Sequence, residues 1–198
     1  MILRTLYAIA KTWHYRKELK RYIIDSNLQV KNICSITPAY LSALNVHAVV
    51  LDYDGVLASH GEPAPRPEVV TWLRSFASAY APHKIFILTN KPNATRMDYF
   101  KQNFPTITFV KARRKKPYPD GLQQIIDLCG CPGSQVLLFD DRLCTGILAT
   151  LIAGVQGRWI TKPYINFQAR PFTEAGFVLL RWLERVAITY LVPKPLPS

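Results

Sequence analysis

The chain is poor in cysteine, in histidine and in acid, and each shortage removes a class of protein. Its four cysteines, Cys34, Cys129, Cys131 and Cys144, give no spacing that reads as a disulfide framework. Cys129 and Cys131 stand too close together for a zinc knuckle, and none of the four histidines recurs beside a cysteine. The thiols are therefore read as structural, in a reducing cytosolic setting. No uninterrupted apolar run is long enough for a spanning helix. The opening segment MILRTLYAIAK places its basic residues after the apolar ones more than before them, which makes a poor secretory signal. No Walker loop is present, so nothing points to ATP binding. Cytoplasmic placement, free or peripheral on a membrane, is the expectation.

What the chain does have is a globular composition and a basic excess. Apolar residues make up 49% of its 198 residues and charged ones 19%, enough for one good core and not the profile of a disordered chain. Against 13 acidic side chains stand 25 basic ones, a formal charge of +12. Such an excess favours an anionic partner: nucleic acid, an acidic membrane surface or a phosphorylated substrate. The basic run at 111–116 carries no interleaved aromatics and no nucleic-acid motif accompanies it, which argues against nucleic acid. The oligomeric state is left open.

Periodicity divides the chain into three. Residues 1–34 read as a basic amphipathic helical extension. Its helix over 2–24 has Ile2, Leu6, Ile9 and Trp13 at helical spacing and Arg4, Lys11, Arg16, Lys17, Lys20 and Arg21 as its charge. That face suits either an anionic bilayer or the flank of the domain. Residues 35–165 read as the core. Strands are predicted at 46–52, 84–88, 107–110, 136–139 and 158–161, with helices at 38–44, 67–80, 94–103, 119–129 and 145–154 between them. The last of these helices is expected to be capped by Thr145. This alternation predicts an α/β fold with a five-stranded, mostly parallel sheet covered on both faces. Residues 166–198 read as a helix over 173–191, apolar on more than one face, and a Pro-rich tail, packed on the core or at a membrane surface.

The strands end in chemistry. The first core strand runs into Asp52 and Asp54, and Gly55 follows to permit a tight turn. The second ends in Thr89 and Asn90, the third leads into KARRKKP, and the fourth ends in Asp140 and Asp141. In an open α/β sheet ligands gather beyond these strand ends. One carboxylate can attack phosphorus, a second can protonate the leaving group and activate water, and a hydroxyl and an ammonium can hold the phosphoryl oxygens. A further acid can help hold Mg²⁺.

These segments resemble the haloacid-dehalogenase phosphatase superfamily and, within it, the small capless YqeG-type group that includes mitochondrial phosphatidylglycerophosphate phosphatases. The pattern DxDx(T/V) matches Asp52-Tyr53-Asp54-Gly55-Val56, the strand-end threonine matches Thr89 in ILTN, and the Lys-Pro pattern matches Lys116-Pro117. The fourth pattern, G-D-R-L-x-T-D, is met by Asp140-Asp141-Arg142-Leu143-Cys144-Thr145-Gly146, with Asp140 in the glycine position and Gly146 in that of the second aspartate. The resemblance implies a capless or minimally capped Rossmannoid fold with Asp52 as nucleophile and Asp54 as general acid/base. Thr89 and Lys116 would hold the phosphoryl group, and Asp52, the Asp54 carbonyl, Asp141 and, in place of Gly146, Asp140 would hold Mg²⁺. Asn90, Lys115 and Arg142 are the expected substrate contacts, with Lys115 in reserve for Lys116.

The expected activity is thus Mg²⁺-dependent phosphomonoester hydrolysis, with phosphatidylglycerophosphate as the substrate the resemblance names. Two other readings stand beside it: a phosphatase of soluble esters, and a catalytically impaired module of this fold that binds protein or RNA.

Overall fold

The computed structural model describes residues 2–80 and 84–191; the Pro-rich tail lies outside them. Strands β1 (Gln29–Val30), β2 (Ala48–Leu51), β3 (Ile85–Leu88), β4 (Thr108–Val110), β5 (Val136–Asp140) and β6 (Gln156–Ile160) form one sheet. Its order is β1-β6-β5-β2-β3-β4, and every pairing is parallel. The sheet has six strands rather than five. Two-residue β1, too short to show a period in sequence, pairs with β6 through Gln29 and Val30.

Parallel strands need crossovers, and the helices that supply them cover both faces. On one face Val49, Leu51, Ile85, Ile87, Leu137 and Phe139 meet Leu41 of α3 (Pro38–Ala43), Leu73 of α4 (Pro67–Ala79) and Phe100 of α5 (Ala94–Asn103). The alternate residues Ala48, Val50, Phe86, Leu88, Val136 and Leu138 face Leu122 and Ile125 of α6 (Asp120–Cys129) and Ala149 of α7 (Leu148–Ala153). The period of two explains why these strands read as unbroken apolar runs: both faces are buried. Thr37 caps α3 by accepting the Tyr40 N–H at 3.2 Å, with Pro38 at the first helical position.

The termini depart most from expectation. The first helix is broken at Tyr15 into α1 (Ile2–His14) and α2 (Arg16–Ile24). Only Thr12 of α1 is buried, while Ile2, Leu6, Ile9 and Trp13 are 56–75% exposed. The last helix, α8 (Pro171–Leu191), is inverted in the same sense. Its buried residues are Glu174, Glu184 and Ile188, and Phe172, Leu179, Trp182 and Tyr190 point outward. Ile188 joins Leu19 and Tyr22 of α2 on Leu143, Ile147 and Trp159, and elsewhere α8 is held by the charged contacts of Glu174, Arg181 and Glu184 and by Phe177 stacked on His60. A helix that turns its acids inward and its aromatics outward has apolar surface still to bury.

Candidate active site

The chain leaves β2 for β3 and β4 on one side and returns through β5 and β6 on the other, so β2 and β5 flank the switch point where ligands collect. Asp52 directly follows β2, its N–H donating to Phe139 O at 3.0 Å, and Asp140 ends β5. At Gly55, φ is +86°, and a side chain there would lie 2.6 Å from Asp141 Oδ2, so both backbone and space call for glycine. Asp52, Asp54, Thr89, Asn90, Lys115, Lys116, Asp141 and Arg142 all line one cavity of about 270 Å³.

Lys116 is its hub. Nζ donates to Leu88 O at 3.0 Å and to Asp140 Oδ2 at 2.5 Å, and lies 2.9 Å from Asp52 Oδ1. Lys116 makes these contacts, while Lys115 contributes only to the wall. Both carboxylates raise the Lys116 pKa against the opposing effect of its burial, so the ammonium stays charged. Asn90 serves Lys116 as well: its Oδ1 accepts the Lys116 N–H at 2.7 Å and its Nδ2 donates to the Lys116 carbonyl at 3.3 Å. The carbonyl also accepts from Arg4 Nε of α1 at 2.8 Å. Thr89, buried, accepts the Lys91 N–H at 3.2 Å and presents its hydroxyl to the cavity.

Oxygens of Asp52, Asp140 and Asp141 lie within 4.8 Å of one another. Burial first, and then Asp140 and Asp141, push the Asp52 carboxyl up to about 8 against the pull of Lys116. Burial likewise lifts Asp141, to about 6, against Arg181. Crowded buried carboxylates of this kind are relieved by a divalent cation, and hard oxygen donors suit Mg²⁺. The residues therefore fit the ion.

Asp140 points into this cluster, and Gly146 is the reason it can. A Cβ on Gly146 would fall 1.9 Å from Asp140 Cγ and Oδ2. Relative to the pattern the sequence resembles, glycine and aspartate are exchanged between positions 140 and 146, and the two positions pack directly against each other.

Three residues that sequence reasoning passed over complete the site. Arg96, 1% exposed, is placed by the Asn93 cap of α5 and grips Asp54 in a fork, at 2.7 Å to Oδ1 and 3.2 Å to Oδ2. Gly61 N–H adds 3.0 Å to Oδ1. Burial alone would raise Asp54; Arg96 and Gly61 outweigh it and hold the carboxyl below its ordinary value. The role that the resemblance gives Asp54 at the metal belongs to its backbone carbonyl, not to this carboxylate. Arg181 of α8 donates through Nε to Asp141 Oδ2 at 2.5 Å. Glu184 takes the Arg142 guanidinium and accepts the Leu143 and Cys144 N–H groups at 3.1 and 3.4 Å. The expected Thr145 cap is thus corrected. Thr145 lies inside a π-helical turn, Leu143–Ile147, that leads into α7, and Glu184 serves the start of that turn. Arg142, expected to meet substrate, lines the cavity with its guanidinium committed to Glu184.

No domain is inserted after β2, yet the cavity is walled by Arg4 of α1 and Phe177 and Leu180 of α8. The His60 ring, in the loop after β2, stacks on Phe177 at 3.6 Å and lies 3.0 Å from Glu174 Oε2.

Residues 11–154 match the family described as haloacid dehalogenase-like hydrolase. The chain belongs to that family. Its similarity to "Probable phosphatase YqeG" of Bacillus subtilis (strain 168) is distant, 25% identity over 130 residues, which span 66% of this chain and 72% of that protein. A solved structure of an uncharacterized protein from Corynebacterium glutamicum is 20% identical, with a TM-score of 0.46 over 76% of this chain and 99% of that one. A haloacid dehalogenase-like hydrolase with an aspartate cluster able to hold a divalent cation is what geometry and family together establish. Among the described residues no helix is long and apolar enough to cross a membrane.

Proposed function

We propose that the protein is a Mg²⁺-dependent phosphomonoesterase that works through an aspartyl phosphate and removes the terminal phosphate of phosphatidylglycerophosphate at an anionic membrane surface, from the cytoplasmic side. The observation that carries the chemistry is Lys116 Nζ lodged between Asp52 and Asp140 at the mouth of β2. An ammonium there neutralises the nucleophile's surroundings, and it meets the incoming phosphoryl oxygens together with the Thr89 hydroxyl. Asp52 attacks phosphorus, the ester O–P bond breaks, and the departing alkoxide takes a proton from Asp54. Water, its proton taken by Asp54, then attacks the phosphoaspartate and frees inorganic phosphate and Asp52. The Arg96 fork holds Asp54 ionised, the state needed for the second half; donation in the first half requires the fork to open. Asp52, Asp140 and Asp141, with the Asp54 carbonyl, would hold Mg²⁺, which when bound offsets the negative charge of phosphate and carboxylates. The four carboxylates Asp52, Asp54, Asp140 and Asp141 are paired directly with three cations, Lys116, Arg96 and Arg181, and Arg4, Lys91 and Lys115 add positive charge on the cavity wall, as a phosphate ester demands.

The lipid reading is supported by the outward apolar residues of α1 and α8 beside the cavity and by the excess of basic charge. The test is phosphate release from phosphatidylglycerophosphate in mixed micelles, beside a small aryl phosphate, with Mg²⁺ or chelator and with Asp52→Asn. Lipid turnover that needs both Mg²⁺ and Asp52 is expected. Turnover of the aryl ester alone would move the substrate to soluble phosphates. None on either, with RNA or protein binding that survives Asp52→Asn, would make the chain a binding module.

A further inference from the structure

Beside the catalytic cavity a second, larger hollow of about 530 Å³ runs between α1 and α8. Ala8, Ile9, Thr12 and Trp13 wall it on one side, Leu183 and Ala187 on the other. Arg4, Arg142, Thr145 and Leu180 line both hollows, so the two adjoin. One end of this surface presents Lys116, Thr89 and the carboxylates; the other presents hydrocarbon. The size falls in the range of small-molecule sites, roughly 300–1,000 Å³. All of α8, and α1 as far as Ala10, lie outside the residues that match the family, 11–154, while Thr12, Trp13, Pro117, Arg142, Cys144 and Thr145 of the hollow's wall lie inside them.

The occupant is constrained from two directions. A molecule that fills both hollows carries a phosphate ester at one end and an apolar chain at the other. Around the hollow, Leu3 and Leu6 of α1 and Leu179 and Trp182 of α8 are exposed, while Lys11, Arg16, Lys17 and Arg21 lie on α1 and α2. Exposed apolar side chains beside basic ones complement a bilayer of anionic lipid. We propose that the hollow is an acyl-chain subsite. It takes one fatty-acyl chain of a phosphorylated glycerolipid, drawn part-way from an anionic membrane on which the outer faces of α1 and α8 rest. This rests on the phosphatase reading for the position of the phosphate and adds where the hydrocarbon goes.

A test that separates the two uses phosphorylated glycerolipids of increasing acyl length, kept below micelle formation, with an aryl phosphate assayed on the same wild-type protein. Each further pair of methylenes is expected to raise kcat/KM roughly tenfold until the hollow is full. Filling the hollow from either wall, by Ala187→Trp or by Ala8→Trp, flattens that rise, with circular dichroism and melting curves recorded to show that each variant folds. A lipid phosphate with a photoreactive diazirine at its chain end is expected to label α1 and α8, whether or not it is turned over. Aryl phosphate turnover without chain-length dependence, or labelling on neither helix, overturns the subsite and leaves the phosphatase standing. Absence of all turnover with labelling on α1 and α8 does the reverse. A lipid-free dimer that buries this face, in which the chain-end probe labels neither helix, also overturns the proposal.

Discussion

Gly146→Ala puts the exchange between positions 140 and 146 to a quantitative test. Gly146 is not among the glycines with positive φ, so its backbone suits any residue and the demand for glycine is one of space. The added methyl would sit 1.9 Å from Asp140 Cγ and Oδ2 and 2.5 Å from its Cβ. Asp140 has nowhere easy to go: Oδ2 is on Lys116 at 2.5 Å and Oδ1 accepts the Arg142 N–H at 2.9 Å. Overpacking alone costs about 1–3 kcal/mol, and a buried ion pair broken outright costs about 3–5 kcal/mol. The pair is displaced rather than deleted, so a net loss of about 2–4 kcal/mol is expected. For a chain of this size that is a fall in Tm of roughly 2–4 °C per kcal/mol. Urea denaturation gives the free energy and calorimetric titration gives Mg²⁺ affinity. Moving the carboxylate back, with Asp140→Gly and Gly146→Asp together, is expected to lose less stability than the two single changes add up to, with a coupling of about 0.5–3 kcal/mol, and to bind Mg²⁺ better than Asp140→Gly alone. Wild-type stability in Gly146→Ala, or additivity in the double variant, would refute the exchange.

Other expectations follow from the buried charges. Arg96→Met strands Asp54 without its fork and is expected to cost about 3–5 kcal/mol; with the Asp54 pKa raised, the acidic limb of the pH–rate profile moves to higher pH. Arg181→Gln is expected to bind Mn²⁺ more tightly in calorimetric titration, because the ion no longer competes with a guanidinium for Asp141, and to melt earlier when no ion is bound. Weaker binding would make Arg181 a group that orients Asp141 instead. His60 is held below its usual pKa by burial and then Arg181, despite Asp54 and Glu174. The unfolded chain therefore takes up that proton first, and stability falls as pH drops below about 6.5. In His60→Gln that fall, followed by urea titration between about pH 7 and pH 5, is expected to be shallower.

The chemistry was legible where an apolar run breaks into a polar residue. Asp52, Thr89 and Asp140 each stand at a strand end because β2, β3 and β5 are buried on both faces and so stay apolar up to that residue. Arg96 left no such sign: it lies inside a helix, and only the Asn93 cap and the fold bring it 42 residues back along the chain to Asp54. Arg181 and Glu184 were masked differently. A helix apolar on several faces reads as buried through its apolar side, whereas α8 seats its charged side on the core, against Asp141 and the turn at Leu143. β1 was missed because two residues carry no period, and Thr145 misled because a lone threonine before an apolar run looks like a cap when the capping carboxylate is distant in sequence.

The most direct measurement is acid quenching during turnover of an aryl phosphate with Mg²⁺, followed by mass spectrometry of the peptide holding Asp52. Phosphate on Asp52 in the wild type, accumulating in Asp54→Asn and absent from Asp52→Asn, is the predicted result. Phosphate release that persists in Asp52→Asn would contradict the account.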